Sequence, residues 1–383
     1  MLAVEDKKKS IIVLVIAILV IIVGRTIFFA DKEQVRPKEA KVINRLSDSK
    51  WEKVGNLVIP DIVAMNFDEG GQYGVVVSLE GQIAKSLDGG QSWKPNAIVP
   101  INIGELVNGV AISSNGRVTV ATSVDDSAYT GIYQENSNGS WERTICKDCG
   151  GILALDNDGK IGVGGGGLIS KYDSQLNKWQ FSYLPSWGAY TLYGVASSGQ
   201  KLWVSGENGL LALSQDQGNS WINLSPSSLS SLPFYSITCS ESGDKILLGG
   251  VNGSLLLLDT NLINQNSNSN INQNSNSDRG ADNNSSNSSN SENTANSNWI
   301  DVKGLDREMI INSVLITDKA LLASGGKLTG LDGFIISSKD GNTWNYDLLP
   351  KDITSIVSLK TSRNQLFAAS SDGNILKKVK SQL

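Results

Sequence analysis

An eight-residue pattern that recurs along the chain constrains its fold more than any other feature. Residues 86–93 read SLDGGQSW and residues 214–221 read SQDQGNSW, and both match S-x-D-x-G-x-S/T-W. A looser copy, SSKDGNTW at residues 337–344, keeps the Ser-to-Trp distance and the Gly, but its Asp comes one place later. Ser and Asp side chains hydrogen-bond nearby backbone, Gly takes positive φ, and Trp is an apolar anchor, so the pattern predicts a tight turn leading into a strand. The residues predicted to build the three turns are Ser86, Asp88, Gly90, Trp93, Ser214, Asp216, Gly218, Trp221, Asp340, Gly341 and Trp344.

Seven of the nine tryptophans divide the chain into repeats. The intervals are 42, 48, 38, 42, 78 and 45 residues between Trp51, Trp93, Trp141, Trp179, Trp221, Trp299 and Trp344. The long interval contains residues 264–298, mostly Asn and Ser, and without these 35 residues it shortens to 43. A period of about 40 to 45 residues with four short apolar runs per unit is typical of β-propeller blades. The sequence therefore predicts an all-β propeller.

Paired apolar runs joined by short turns such as Asn208-Gly209 and Asn252-Gly253 predict a β-hairpin in each repeat. The repeats amount to six whole units and a seventh, residues 351–380, that has no tryptophan strand of its own. The missing strand is left over near the amino terminus. We therefore predict that residues 51–60 pair with the last blade and close a seven-bladed ring over residues 51–380. Six or eight blades remain open, because the units around Trp141 and Trp179 are placed by spacing more than by motif.

The repeated turns resemble the Asp-box, or bacterial neuraminidase repeat, of β-propellers. Residues 81–93 also match the run G-x-I-x-x-S-x-D-G-G-x-S/T-W of single-domain propellers similar to the photosystem II stability and assembly factor family. That resemblance covers residues 51–380 and implies a seven-bladed propeller that acts by binding other proteins. The arginine-rich face of that family has no clear counterpart in this arginine-poor chain, so a photosynthetic role is not implied.

The amino terminus predicts a membrane anchor. Three lysines at positions 7–9 end a cytoplasmic tail, residues 1–10, and residues 11–30 form an apolar span. As a helix, these 20 residues would rise ~30 Å, enough to cross the hydrocarbon core of a bilayer. The lysines predict a cytoplasmic amino terminus, a charged stalk at residues 31–50, and a propeller in the periplasm or at the cell surface. The alternative is a cleaved signal peptide, because the uninterrupted apolar run of 13 residues also fits one.

The insertion at residues 264–298 is predicted to be a disordered loop on the rim of the fifth blade, because Asn and Ser cannot bury apolar surface. A tolerated low-complexity expansion is the plainest interpretation. A solubilising or glycosylated bristle is the alternative, because Asn283, Asn284 and Asn287 each begin an N-x-S triplet.

The composition argues against several classes of function. Histidine is absent, which removes the commonest general base and the commonest metal ligand. The net charge of −5 argues against a nucleic-acid partner. We therefore expect no metal and no cofactor.

Two of the three cysteines, Cys146 and Cys149, form a CxxC pair without the second pair that a zinc site needs. In an exported domain this pair predicts a local disulfide, and free thiols or a redox role are the alternatives.

No catalytic constellation is apparent in the sequence. Sialidases need an Arg-Ile-Pro motif and an arginine triad. The motif does not occur here, and of Arg117, Arg143, Arg307 and Arg363 only Arg307 lies in a connection predicted to face the central opening. Three convergent guanidinium groups therefore cannot be assembled. Ligands of propellers usually meet the face made by the loops that enter each inner strand and by the second-to-third-strand hairpins. The candidate binding residues at those places are Glu80, Asp148, Trp187, Tyr190, Glu207, Phe234, Arg307 and Asp352.

The function that these features favour is a non-enzymatic scaffold outside the cytoplasm, anchored in the membrane, that binds another membrane or envelope protein or assists assembly of a complex. The alternative is a cell-surface propeller that binds or hydrolyses carbohydrate. A glycosidase would need two carboxylates roughly 6.5 to 9.5 Å apart across a cleft, with aromatic platforms.

Overall fold

The computed structural model describes residues 38–55, 59–124, 130–147, 149–225, 232–260 and 299–380. All of them belong to the unit Arg36–Leu383, and the other unit, Met1–Val35, lies outside them. The predictions of a tail at 1–10, an anchor at 11–30 and an insertion at 264–298 therefore fall outside the described residues. Within the described ranges, no helix has the length and apolarity that crossing a membrane requires.

The described residues form 28 strands. Strand β1 comes first in the chain and precedes seven groups of consecutive strands. They are β1 (Lys38–Lys53); β2 (Ile62–Phe67), β3 (Gly74–Ser78), β4 (Gln82–Ser86), β5 (Lys94–Ile98); β6 (Glu105–Ile112), β7 (Val118–Val124), β8 (Thr130–Glu135), β9 (Trp141–Cys146); β10 (Ile152–Leu155), β11 (Ile161–Gly164), β12 (Leu168–Asp173), β13 (Lys178–Tyr183); β14 (Leu192–Ser198), β15 (Lys201–Gly206), β16 (Leu211–Ser214), β17 (Ile222–Asn223); β18 (Phe234–Cys239), β19 (Lys245–Gly250), β20 (Leu255–Asp259), β21 (Trp299–Lys303); β22 (Met309–Ile316), β23 (Leu321–Lys327), β24 (Phe334–Ser338), β25 (Thr343–Leu348); β26 (Ile356–Ser362), β27 (Gln365–Ser370) and β28 (Ile375–Lys380).

Each group of consecutive strands is an antiparallel meander. The groups β2–β5, β6–β9, β10–β13 and β14–β17 are separate four-stranded sheets. The tight turns come from local sequence: Asn208 and Gly209 have φ of 54° and 67°, and Asn252 and Gly253 have 56° and 65°. These are the positive φ angles that a two-residue hairpin turn needs. Apolar cores lie between neighbouring sheets, as where Val163, Leu192 and Val204 pack together.

The first strands of the groups form a closed ring. β2 contacts β6, and the contacts continue through β10, β14, β18, β22 and β26 back to β2. Side-chain hydrogen bonds to backbone carbonyl oxygens connect neighbouring first strands. They run from Asn66 to Val110, Asn108 to Ile152, Ser236 to Ile311, Asn312 to Ile356, and Ser358 to Met65. The last of these bonds joins the last group to the first.

Strand β1 connects the outer edges of three groups. Residues 38–41 run parallel to β21, and residues 41–50 run parallel to β25. Residues 49–53 then pair antiparallel with β28, so β1 supplies the fourth strand beside β26–β28. These pairings merge the three groups into one 12-stranded sheet.

The prediction of a stalk at residues 31–50 is wrong for residues 38–50, which belong to β1. The charges that suggested a stalk are compatible with a strand because β1 lies along sheet edges. Outside residues 44–46, whose side chains are not described, only Ala40 and Trp51 of β1 are buried, both at 1% exposure. The described part of the strand therefore lacks the apolar alternation by which strands are recognised in a sequence.

The Asp347 carboxylate, in β25, holds β1 in place. It is buried and accepts hydrogen bonds from Ser47 Oγ at 2.6 Å and Trp51 Nε1 at 2.9 Å, both in β1. Ser337 Oγ in β24 donates at 2.7 Å, and the Lys378 ammonium in β28 lies 2.9 Å away. A buried carboxylate is tolerated when it is paired and its lone pairs are satisfied, as they are here. One side chain thus joins four strands.

The two full copies of the repeated pattern form identical turns. Ser86 Oγ donates to Asp88 and accepts from the Gly90 N–H, both at 2.8 Å, and the Asp88 carboxylate accepts from the Ser92 N–H and hydroxyl. The indole of Trp93 donates to the Gly90 carbonyl at 3.1 Å. Gly90 has φ of 90°, and a Cβ there would lie 2.7 Å from the Phe367 ring. The same bonds join Ser214, Asp216, Gly218, Ser220 and Trp221.

The third copy is one residue shorter. Ser338, rather than Ser337, donates to Asp340 at 3.0 Å and accepts from the Gly341 N–H at 2.9 Å. The Asp that seemed one place late is therefore at its usual distance from the turn-forming serine. Trp344 still donates to the Gly341 carbonyl, at 3.0 Å.

Replacing Asp347 with Asn is expected to lower the free energy of unfolding by about 3 kcal/mol, because the Lys378 ammonium loses its buried partner. Urea unfolding of both chains measures the difference. Asp318→Asn, on an exposed turn, is the control and should change stability by less than about 0.5 kcal/mol. Equal effects of the two substitutions would contradict the role assigned to Asp347.

Asp88 is expected to make stability depend on acid pH. Burial opposes its ionisation, but hydrogen bonds from Ser92 and Ser86 outweigh it and lower its pKa from 3.8 to about 2. Because the folded-state pKa is depressed, the carboxylate stabilises the fold above pH 3.8, and this contribution is lost as the pH falls through about 2. Urea unfolding over this pH range measures how the free energy of unfolding depends on pH. Asp88→Asn should flatten that dependence, whereas Leu87→Ala in the same turn should not. If the free energy of unfolding of Asp88→Asn falls with pH as steeply as that of the wild type, the role assigned to Asp88 is wrong.

Candidate binding face at the mouth of the ring

Every first strand carries a β-bulge near its start. The pairing register of β2, β6, β10, β14, β18, β22 and β26 shifts by one residue against the following strand. The extra residue is partly exposed in each strand, although the residue before it is buried. Bulges re-aim side chains, and here each bulge takes one side chain out of the packed sheet. The seven extra residues, the bulge ring, are Val63, Asn108, Leu153, Tyr193, Tyr235, Asn312 and Val357.

The bulge ring lies at one end of the ring of strands, which we call the mouth. A shallow depression of about 350 Å³ at this end is lined by Asp61, Ile62, Val63, Leu79, Asn312, Val357 and Ser371. These residues come from the first, sixth and last groups, at the starts of first strands and in the second-to-third-strand hairpins. The connections between groups and these hairpins therefore meet at the mouth.

Tyrosines and a carboxylate form the opposite side of the bulge ring. Tyr193 and Tyr235 lie edge to face, with ring centroids 4.9 Å apart and planes at 75°. Glu207, in the hairpin after β15, accepts a hydrogen bond from the Tyr193 hydroxyl at 3.3 Å and from the Thr191 N–H at 3.1 Å. The Glu207 N–H donates to the Thr191 carbonyl at 2.9 Å, so this hairpin is held against the start of β14. We call Tyr193, Tyr235 and Glu207 the tyrosine–glutamate cluster.

Burial and the charge of Glu207 both favour the neutral phenols. Burial, followed by the negative charge of Glu207, raises the pKa of Tyr193 above its ordinary range. The same two causes raise the pKa of Tyr235 to about 12. Both hydroxyls therefore stay protonated at neutral pH, and Tyr193 acts as a donor to Glu207.

At the opposite end of the ring, the turn between β10 and β11 contacts two other groups. Asn157 in this turn accepts a hydrogen bond from Lys360 Nζ of β26 at 2.5 Å, and its carbonyl accepts one from Asn66 of β2 at 3.0 Å. Burial lowers the pKa of Lys360 to about 8, against the opposing effect of Asp156. These contacts join the third group to the first and the last across the ring.

Glu207 belongs to the tyrosine–glutamate cluster, and six other predicted face residues divide into three sets. Tyr190, at 40% exposure, and Trp187 lie in the connection before β14, the strand that carries Tyr193. Trp187 packs on the core between the third and fourth groups. Glu80, Arg307 and Asp352 are exposed in other loops, and no described hydrogen bond joins them to the cluster. Asp148 lies outside the described residues.

Phe234 is not a face residue, contrary to the prediction. It is 1% exposed and packs in a core cluster with Trp203 and Leu248. The bulge in β18 exposes the next residue, Tyr235, instead. The sequence prediction was therefore wrong by one position, because a bulge reverses which of two adjacent side chains points outward.

Sequence reasoning missed Tyr193 and Tyr235. A usable signal does exist: each tyrosine follows a large apolar residue and precedes a small one, in Leu192-Tyr193-Gly194 and Phe234-Tyr235-Ser236. The small residue gives room to the neighbouring strand, since a Cβ on Gly194 would meet Ile237 at 2.8 Å.

Cys146 and Cys149 are joined as a disulfide, and both are buried, at 2% and 1% exposure. They lie between the second and third groups, where Cys149 Sγ is 3.1 Å from the Thr130 hydroxyl. Among the described residues, no group of three or more His, Cys, Asp or Glu side chains is arranged to hold a metal ion.

Comparisons with known proteins support the fold. No protein-family model matches the sequence, and no curated protein matches it significantly. Among solved structures, YCF48 bound to D1 peptide has a TM-score of 0.56 at 16% identity, over 89% of this chain and 98% of that one. YCF48 from Cyanidioschyzon merolae has a TM-score of 0.57 at 15% identity, over 87% and 99%.

Virginiamycin B lyase from Staphylococcus aureus is also similar, with a TM-score of 0.60 at 13% identity, over 86% of this chain and 99% of that one. At such identities the similarity concerns the fold alone. The all-β prediction and the resemblance to assembly-factor propellers are confirmed at that level: the chain is a β-propeller similar in fold to YCF48.

Proposed function

We propose that this chain is a seven-bladed propeller, anchored in the membrane and exposed outside the cytoplasm, that binds a segment of a partner protein at its mouth and acts as a non-enzymatic scaffold. The blade count is supported by the closed series of first strands and by β1, which supplies the fourth strand of the last group. The fold, the membrane anchor and the protein partner are separate parts of this proposal, and different observations support each of them.

The composition of the bulge ring carries the proposal of a protein partner. One side presents apolar Val63 and Val357, and the other presents Tyr193 and Tyr235, with amide side chains of Asn108 and Asn312 between them. Aromatic residues are enriched at protein interfaces because they combine large contact area with a polar group. A shallow mouth with this mixture suits a peptide segment, which offers both apolar side chains and backbone hydrogen-bonding groups.

The similar structures favour the same function without deciding it. One YCF48 structure contains a bound D1 peptide, so a propeller of this fold can hold a peptide. Virginiamycin B lyase is named as an enzyme, and the fold therefore does not by itself exclude catalysis.

Affinity capture of the full chain from crosslinked membranes tests whether it binds a partner protein. The wild type should retain one protein in stoichiometric amount. Tyr235→Ala and Tyr190→Ala should each lower its recovery about tenfold, as expected when an aromatic contact at the centre of an interface is lost. Tyr183→Ala is the matched control, because Tyr183 is 54% exposed on the outer strand β13. Recovery of oligosaccharide alone, with no protein partner, would contradict the proposal.

The proposed anchor at residues 11–30 is tested by fractionation. The full chain should remain in membranes after an alkaline wash, and the mass of the mature chain should include residues 1–30. A chain lacking residues 11–30 should be released. A mature, membrane-free chain that begins near Asp31 would show that the segment is a cleaved signal peptide.

A further inference from the structure

The tyrosine–glutamate cluster holds a negative charge without a cation beside it. The hydrogen bonds to Glu207 come from a hydroxyl and a backbone N–H, which are neutral donors. No ion pair among the described residues includes Glu207. Two donors leave a carboxylate with unused acceptor sites, so Glu207 can take a further, charged donor.

The two tyrosine rings add a second attraction for a cation. They meet at 75°, and both side chains are partly exposed, so the cluster presents two aromatic walls at nearly a right angle beside the carboxylate. The face of an aromatic ring carries partial negative charge and attracts ammonium and guanidinium groups, more strongly when they are partly desolvated. Aromatic faces and a carboxylate together select a cation over a neutral side chain.

The loops around the tyrosine–glutamate cluster carry a net negative charge, like Glu207 itself. The described mouth loops carry three cations, Lys147, Arg307 and Lys351, against eight carboxylates: Asp61, Glu80, Glu207, Asp306, Glu308, Asp332, Asp352 and Asp372. Lys327, at the end of β23, pairs with Asp332 at 2.8 Å. An acidic mouth raises the local concentration of a basic partner and speeds its association.

We propose that the tyrosine–glutamate cluster binds the cationic side chain of a lysine or arginine in the partner segment; this inference rests on the proposed function and specifies the chemistry of the partner. The charged group lies against the uncovered faces of the two touching rings, beside Glu207, and bonds to the free lone pairs of its carboxylate. Its apolar stem lies along Tyr193 and Tyr235, and the rest of the segment crosses the bulge ring toward Val63 and Val357.

The test uses the full chain in lipid nanodiscs and a library of random linear peptides displayed on phage. Selected peptides should share a lysine or arginine at one position. For a selected peptide containing lysine, replacement by norleucine, which keeps the stem and removes the charge, should weaken binding to the wild type about tenfold. In Glu207→Gln this difference should shrink to about threefold, because the carboxylate that pairs with the charge is gone and only the ring faces still attract it. Glu80→Gln, another mouth carboxylate, is the matched control and should keep the wild-type difference.

The outcomes separate this inference from the proposed function. If peptides bind and Tyr235→Ala abolishes their binding, but norleucine replaces lysine without loss, the cation site is wrong and peptide binding at the mouth stands. If the library yields no peptide, or only peptides that bind Glu207→Gln and the wild type equally, the cation site is also wrong, and membrane capture decides on the partner separately. If Glu207→Gln does not fold, comparing the lysine and norleucine peptides on the wild type alone decides whether the cluster binds a cation.

Discussion

The Asp347 carboxylate is the interaction on which the closure of the ring depends. A series of sheets arranged around an axis is stable only if the last sheet joins the first, because an open end exposes strand edges and apolar faces. Here the last group supplies only three strands of its own, and β1 provides the fourth. Asp347 joins β1 to β24, β25 and β28 through Ser47, Trp51, Ser337 and Lys378. The Lys378 ammonium also lies 5.8 Å from the centre of the Trp51 ring, so the same contacts bury the tryptophan and compensate the charge.

Closure of the ring determines the geometry of the mouth. Side chains such as Asn312 and Ser358 bond the backbone of the next first strand, so the position of each strand depends on its neighbours around the whole circle. The bulges then turn one side chain per group out of the packed sheet near the mouth. The scaffold is repeated while the bulge residues differ, and this gives a symmetrical fold an asymmetric face, apolar at Val63 and Val357 and aromatic and acidic near Glu207.

The elements that the sequence predicted well are those specified by local chemistry. Asn-Gly turns need positive φ, and the turns at 208–209 and 252–253 have it. The Ser, Asp and Gly of the repeated pattern bond within a few residues of one another, so their turns could be anticipated from the pattern alone. The tryptophan spacing located strands because each indole bonds to the glycine of its own turn in the three pattern copies.

The elements that the sequence predicted poorly depend on distant partners. Residues 38–50 form a strand only because the outer edges of two other groups, about 260 to 300 residues away, accept them. Tyr193 and Tyr235 face the mouth because of a register shift that leaves no mark in apolar periodicity, and the same shift buries Phe234. The sequence therefore predicted Glu207 and the connection that carries Trp187 and Tyr190 as parts of the face, which stays a prediction, but it did not single out the two tyrosines beside Glu207.

Residues 49–53 close the ring by pairing with the last strand. Hydrogen exchange of the full chain, followed by mass spectrometry, measures this most directly, because a paired and buried amide exchanges only when the structure opens. Peptides covering residues 49–53 and 375–380 should exchange as slowly as those from the buried strand β27. Rapid exchange at residues 49–53, with β27 still protected, would contradict it, because the ring would then be complete without β1.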